Sequence, residues 1–314
     1  MPLKEMLVSR YNPNQMRTFA QIFTVRINKY YLAAFTAFVI WGFFSLALKP
    51  LHDYPSLDIL FYRVFYATGL LLLINFVFRN RLLRANVRVF QELSVADKKR
   101  FVTLTVLGGF LLVFNWFLFM YAVNHVSLQS ASFAYLICPI ITTVLAFFLL
   151  KEQLGKWQWF SVGLCVLSCS ILSYGDLHGL VYSLVIAVSF ALYLISQRKN
   201  DRFDKFIVLM VQMVIASLVL LPFFPTYSGP TPTASLFYIL MGVIVVLFTI
   251  VPLFLNLFAL KGMNSSAVGI LMYTNPLIHF FLALFYFHES INLAQIVSYG
   301  LIAVSIVVFN SCKS

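Results

Sequence analysis

Charge is what this chain of 314 residues is short of: Asp, Glu, Lys and Arg make up 10% of it, and only 10 residues are acidic. A soluble domain carries about a quarter of its residues as charged types, so this chain could not cover its own surface against water. Cysteine is scarce too, with 4 residues, Cys138, Cys165, Cys169 and Cys312. No Cys/His spacing resembles a zinc site, and no disulfide framework is indicated. Cys165 and Cys169 stand one helical turn apart in an apolar stretch, where cysteine packs as a small residue. No metal and no cofactor is expected. The first 29 residues hold Lys4, Arg10, Arg17, Arg26 and Lys29 without an apolar core, so 1–29 reads as a cytoplasmic lead-in and not as a signal peptide. There is no HExxH, no pair of carboxylates inside an apolar run and no Ser/His/Asp set, which argues against a membrane-embedded enzyme.

What the chain does have is apolar length. Hydrophobic residues make up 61% of it, 34 of them Phe, and the mean hydropathy is +0.92. Crossing the hydrocarbon layer takes about 20 apolar residues of helix. Such runs fall at 30–48, 57–78, 101–123, 128–150, 157–174, 179–196, 206–224, 235–259, 265–287 and 292–310. The expected fold is therefore an all-α integral membrane protein of ten transmembrane helices. Lys and Arg collect in cytoplasmic loops. With the N-terminus inside, nearly every Lys and Arg falls on the cytoplasmic face, only Lys49 lies outside, and Arg63 is inside a span. The net charge of +12 thus reads as a topology signal with both termini cytoplasmic. A nucleic-acid surface would need those residues gathered on one face, and they are scattered over short loops.

The chain also repeats itself. A shift of 137 residues lays Leu118–Ser168 on Leu255–Ser305 without a gap, and matches Pro139 with Pro276, Glu152 with Glu289, Gln158 with Gln295 and Gly163 with Gly300. The unit is five helices, an odd number, so the second copy is expected upside down: 30–175 as one half and 176–314 as the other, around a central cavity. Inverted repeats of this kind are typical of alternating-access transporters, with the site near midplane. Pro139 and Pro276 are the matched helix breaks, each expected to free the carbonyl four residues earlier, on Tyr135 and Met272.

Several short motifs, in order, resemble the EamA family of the drug/metabolite transporter superfamily, and within it the RarD-like group. They are Trp41-Gly42, Asp58-Ile59-Leu60 with Arg63, Asn115-Trp116, Tyr121-Ala122-Val123-Asn124, and Ala131-Ser132 with Tyr135 and Pro139. Glu152, Gln158-Trp159, Pro252-Leu253, Gly269, Tyr273, Pro276 and Glu289 follow. Tyr62, Cys138 and Met272 depart from that group's usual His, Asn and Gln. The resemblance implies two inverted five-helix halves and a secondary transporter, an exporter of amino acids, related metabolites or drugs, in a bacterial inner (plasma) membrane. A receptor or scaffold is the competing class, and an inverted repeat gives it no evident advantage. The partners are a small-molecule substrate and the lipid bilayer, with no nucleic acid.

All the acidic residues lie in loops, termini or span ends, so the pathway lining is expected to be neutral and aromatic. Trp41, Asn115, Trp116, Tyr135, Tyr273 and Asn275 are the candidates, with freed carbonyls near Pro139 and Pro276 accepting a substrate ammonium. A charge at mid-helix costs roughly 2.5–3.5 kcal/mol on insertion scales, so Arg63 and His279 call for a reason. Arg63 lies only about 9 Å past Leu57 at the rise of a helix, and either snorkels outward or attracts a substrate carboxylate. His279 either packs or titrates as a proton carrier. Glu152 and Glu289 read as stabilisers of loop ends.

Overall fold

The computed structural model describes residues 29–125, 128–172, 177–286 and 293–311. The lead-in at 1–28, the side chain of Asn124, and His288-Glu289 lie outside them. Every described residue in a regular element is helical. Fifteen α-helices follow one another: α1 (Lys29–Gly42), α2 (Phe44–Leu48), α3 (Ser56–Leu73), α4 (Asn80–Glu92), α5 (Val95–His125), α6 (Leu128–Leu150), α7 (Lys156–Leu172), α8 (Leu177–Lys199), α9 (Lys205–Leu220), α10 (Phe224–Tyr227), α11 (Ser235–Val245), α12 (Val251–Ala259), α13 (Ser265–Leu271), α14 (Thr274–Phe285) and α15 (Leu293–Ser311). A π-turn at Ile74–Phe78 extends α3, and another at Val246–Ile250 joins α11 to α12. Among the described residues, eight helical stretches are long and apolar enough to cross a membrane. The helices α7 and α9 are shorter, at 17 and 16 residues.

Two features lie outside the apolar runs. Between the runs 57–78 and 101–123 stands the helix α4, because Leu83, Asn86 and Phe90 recur at helical spacing and give it a half-buried face. Its neighbour α5 begins at Val95, well before the apolar run. Ser94 caps it by accepting the Asp97 N–H at 3.2 Å and donating to the Asp97 carboxylate at 3.0 Å.

Side chains close a few of the helix ends. Asp204 caps α9 by accepting from the N–H groups of Phe206 and Ile207 at 3.1 and 3.2 Å. The same carboxylate takes both arms of Arg79 at 3.1 and 3.2 Å, which fastens the end of α3 to the start of α9. At the end of α6, Lys151 adopts φ 55°, and the Glu152 N–H reaches back to the Ala146 carbonyl at 3.3 Å. This is a left-handed C-terminal cap, made here by lysine and not glycine. It turns Glu152 onto α13, where the carboxylate accepts the N–H groups of Ser265 and Ser266 at 2.7 and 3.0 Å and the Ser266 hydroxyl at 2.5 Å. Glu152 therefore stabilises a loop end and a helix N-terminus, as expected of it.

Packing follows a reciprocal pattern. The helix α6 lies against α8 as α14 lies against α1; α5 lies against α8 as α12 lies against α1. The pairs α7 with α15, α6 with α13 and α3 with α9 also pack directly. A buried polar layer joins α5, α8 and α9. Gln212 donates to Gln197 at 2.9 Å, and Lys205 Nζ donates to the carbonyls of Gln197 and Asn200 at 3.0 and 2.5 Å. Gly108 on α5 faces both amides, where a Cβ would collide with them. Glycine here leaves the two amides the room for their hydrogen bond.

Candidate functional site

The centre of the site is Arg63. It is 6% exposed, so the snorkelling alternative fails: the side chain turns inward, because the bundle offers acceptors that outweigh the outer interface. Its Nε donates to Thr249 Oγ1 at 2.7 Å, and Nη2 donates to the Phe248 carbonyl at 3.2 Å. The guanidinium carbon lies 4.3 Å from the centre of the Trp116 ring and 5.1 Å from that of Phe44. Trp41 Nε1 donates to the same Phe248 carbonyl at 3.0 Å. Tyr135 stands within electrostatic reach of Arg63, its ring 5.4 Å from Phe119. Helices α1, α2, α3 and α5 and one π-turn thus bring Trp41, Phe44, Arg63 and Trp116 to one place, with Tyr135 on α6 farther off.

The local reason is Pro252. Proline has no N–H, so it cannot bond the carbonyl four residues back, which is that of Phe248. The chain runs through a π-turn here, and the Thr249 hydroxyl donates to the Ile244 carbonyl at 3.0 Å. A lone pair of that hydroxyl remains to accept Arg63. Pro252 obeys the rule that singles out Pro139 and Pro276, but the repeat sets Asn115 opposite it and so does not mark it in the sequence.

The other two prolines behave differently. Pro139 sits inside α6, which continues through it. Near Pro276 the helix does break, at Met272 and Tyr273 between α13 and α14. The Met272 carbonyl is not free, however: the Asn275 N–H takes it at 3.1 Å, because the chain tightens to a three-residue turn at the break.

The remaining candidates lie away from Arg63. Asn115 is wholly buried and donates to the Ile186 carbonyl at 2.8 Å and to Ser189 Oγ at 3.0 Å, joining α5 to α8. It is one residue from Trp116, and the helical turn sends the two side chains to different neighbours. Tyr273 is wholly buried near Cys138, Cys165 and Cys169. Asn275 and His279 are half-buried on α14 and make no side-chain hydrogen bond among the described residues. Neither is joined to the Arg63 group.

Charge balance sets the chemistry of the site. A guanidinium has five N–H donors, and two are used here. No carboxylate pairs with Arg63 among the described residues. Asp58, nearby on α3, is itself buried and accepts the Gly229 N–H through both oxygens at 3.0 and 3.1 Å. The site therefore presents one buried positive charge, unused N–H donors and aromatic walls.

Comparison with known proteins agrees with this architecture. The profile of the EamA-like transporter family matches twice, over residues 28–174 and 177–311. The uncharacterized transporter YojE of Bacillus subtilis is 27% identical over 285 residues, covering 87% of this chain and 90% of its own length. The protein RarD of Salmonella typhimurium is 28% identical over 292 residues, covering 88% and 93%. A solved crystal structure of a protein superposes with a TM-score of 0.70 at 16% identity, covering 90% of this chain and 97% of that one, a likeness of fold. With both halves matched and relatives aligned nearly end to end, the chain belongs to the EamA-like transporter family, in its RarD-like group.

Proposed function

We propose that this protein is a secondary transporter, working as an exporter, of small carboxylate-bearing metabolites such as amino acids or amphiphilic compounds. It is not an enzyme. The observation that carries the reading is Arg63: a buried guanidinium with unused donors, faced by the Phe44 and Trp116 rings, sharing an acceptor with Trp41, and without a carboxylate partner among the described residues. Burying a lone charge is costly, and a substrate carboxylate would supply the missing partner through the free edge of the guanidinium. The aromatic faces would take the apolar part of the same molecule. Organic cations would be repelled.

The transport cycle we infer is alternating access between two inverted five-helix halves, 30–175 and 176–314, giving ten spans with both termini cytoplasmic in a bacterial inner membrane. Three observations support it. The family profile matches each half separately. The packing partners are exchanged by the internal repeat. Ser161 and Ser168 on α7 meet Ser305 and Ser298 on α15, and the shift of 137 residues turns each contact into the other. A two-fold relation has this property: if i touches j, the copy of j touches the copy of i. Thr249, Phe248 and Arg63 come from different halves, so rocking one half against the other would open and close the site. Asn115, Tyr273, Asn275 and His279 line later parts of the pathway or hold it together.

The test is flux in proteoliposomes. Purified protein should move at least one monocarboxylate or zwitterionic amino acid down its gradient, and Arg63→Gln should abolish that flux while the protein inserts normally. A protein that moves organic cations as well as carboxylates, or an Arg63→Gln variant with wild-type flux, would overturn the assignment.

A further inference from the structure

The end of the bundle where α3, α4 and α5 meet is rich in basic residues, and some are already engaged. Arg79 pairs with Asp204 and lies 4.8 Å from the Phe206 ring. Lys98 Nζ donates to the Gln91 carbonyl at 2.8 Å, and Arg202 pairs with Asp97 at 3.0 Å. Arg81, Arg84 and Arg88 on α4 are exposed and make no ion pair among the described residues, although Glu92 follows Arg88 by one turn. Their spacing of three and four residues puts them on one stripe of the helix.

That stripe is held in position from behind. Leu83 packs on the core, and the Asn86 side chain accepts the Asp204 N–H at 3.0 Å. Arg84 Nε donates to Asn80 Oδ1 at 2.9 Å, which leaves its two terminal nitrogens without an acidic partner. Between the stripe and the π-turn Ile74–Phe78 runs an open groove of about 460 Å³, lined by Phe76, Asn80, Leu83, Arg84, Val87 and Arg88. Beside it, at the end of a membrane-length helix, Phe76, Val77 and Phe78 are 55%, 60% and 77% exposed. One wall is cationic, the floor is apolar, and the open side adjoins a lipid-facing surface.

We propose that this groove binds the phosphodiester headgroup of an anionic phospholipid. Arg84 and Arg88 meet the phosphate, and the acyl chains lie along Phe76, Val77 and Phe78. Guanidinium forks match phosphate oxygens two at a time, and clustered basic residues beside a span attract anionic headgroups. A free phosphate would gain nothing from the floor of Leu83 and Val87, which the glycerol and first methylenes of a lipid would cover. The inference is independent of which substrate the protein moves.

The test is thermal unfolding of the purified, delipidated full-length protein in detergent, with phosphatidylglycerol, phosphatidylcholine or inorganic phosphate added at matched ionic strength. Phosphatidylglycerol should raise Tm by about 5 °C, the shift that saturating a native-state site produces, and the other two should leave it unchanged. Arg84→Gln with Arg88→Gln should remove the rise, whereas Arg81→Gln, outside the groove lining, should keep it. If the double glutamine variant fails to fold, Arg84→Lys with Arg88→Lys serves instead: it keeps the charge, loses the fork, and should need severalfold more lipid for the same rise. A rise that persists in both double variants, or one that phosphatidylcholine matches, overturns the proposal. A rise with inorganic phosphate alone overturns the lipid as occupant.

Discussion

Ser161 and Ser305 exchange hydrogen bonds across α7 and α15: Ser161 Oγ donates to the Ser305 carbonyl at 2.7 Å, and Ser305 Oγ lies 3.2 Å from the Ser161 carbonyl. The two hydroxyls are 2.8 Å apart. Ser168 repeats the contact lower on α7 by donating to the Ser298 carbonyl at 3.0 Å. Small hydroxyl residues let two helices approach closely and hydrogen-bond in a medium that offers no water.

From this seam, Ser161→Ala and Ser168→Ala should each cost about 0.6 kcal/mol, the mean for interhelical hydrogen bonds in membranes. Ser305→Leu should cost about 1–3 kcal/mol, because the added methylenes meet a closed seam. Unfolding of purified protein in mixed micelles reads both. A Ser305→Leu variant as stable as the parent would mean that α7 and α15 are not in close contact.

Arg63 should separate stability from activity. Arg63→Leu removes a buried charge that lacks a counter-ion among the described residues, so it should leave stability within about 1 kcal/mol of wild type, and flux should be lost. Thr249→Val leaves the Arg63 Nε without its acceptor and should cost about 1–3 kcal/mol. Stability in mixed micelles and flux in proteoliposomes, measured on the same preparations, decide the matter. An Arg63→Leu variant that unfolds on extraction would make Arg63 a structural residue.

Glu152 carries a local prediction. Its carboxylate accepts three hydrogen bonds at the start of α13, so Glu152→Ala should destabilise the protein by about 1–2 kcal/mol. Lys151→Gly should act in the opposite direction by about 1 kcal/mol, because a left-handed residue without a Cβ avoids a steric cost. Both are read from unfolding midpoints, and equal signs for the two would refute this account of the cap.

Topology can be read by labelling. In a background without Cys138, Cys165, Cys169 and Cys312, Gln91→Cys should be shielded from an impermeant thiol reagent in intact cells, whereas Thr226→Cys should react. Equal labelling of the two would remove the ten-span reading and the inverted repeat with it.

Much of this protein is written locally. Helix formation in the apolar runs follows from composition, because a backbone in lipid must satisfy its own polar groups. That the apolar runs are helical, that Glu152 sits at a loop end and that Cys165 and Cys169 pack in the interior were legible from residue type and spacing. The amphipathic α4 is written in the recurrence of Leu83, Asn86 and Phe90, outside every apolar run. What the sequence could not decide is where a polar side chain finds its partner. Asn115 and Trp116 are adjacent and equally plausible as lining residues, yet one faces α8 and the other stacks on Arg63. Arg63 had two available fates, and only the acceptors brought in from a segment 185 residues away, at Phe248 and Thr249, selected the inward one. Helix propensity and hydropathy act over a few turns of one chain segment. The direction of a buried charge depends on a balance of hydrogen bonds between segments, and that balance exists only once the bundle has assembled.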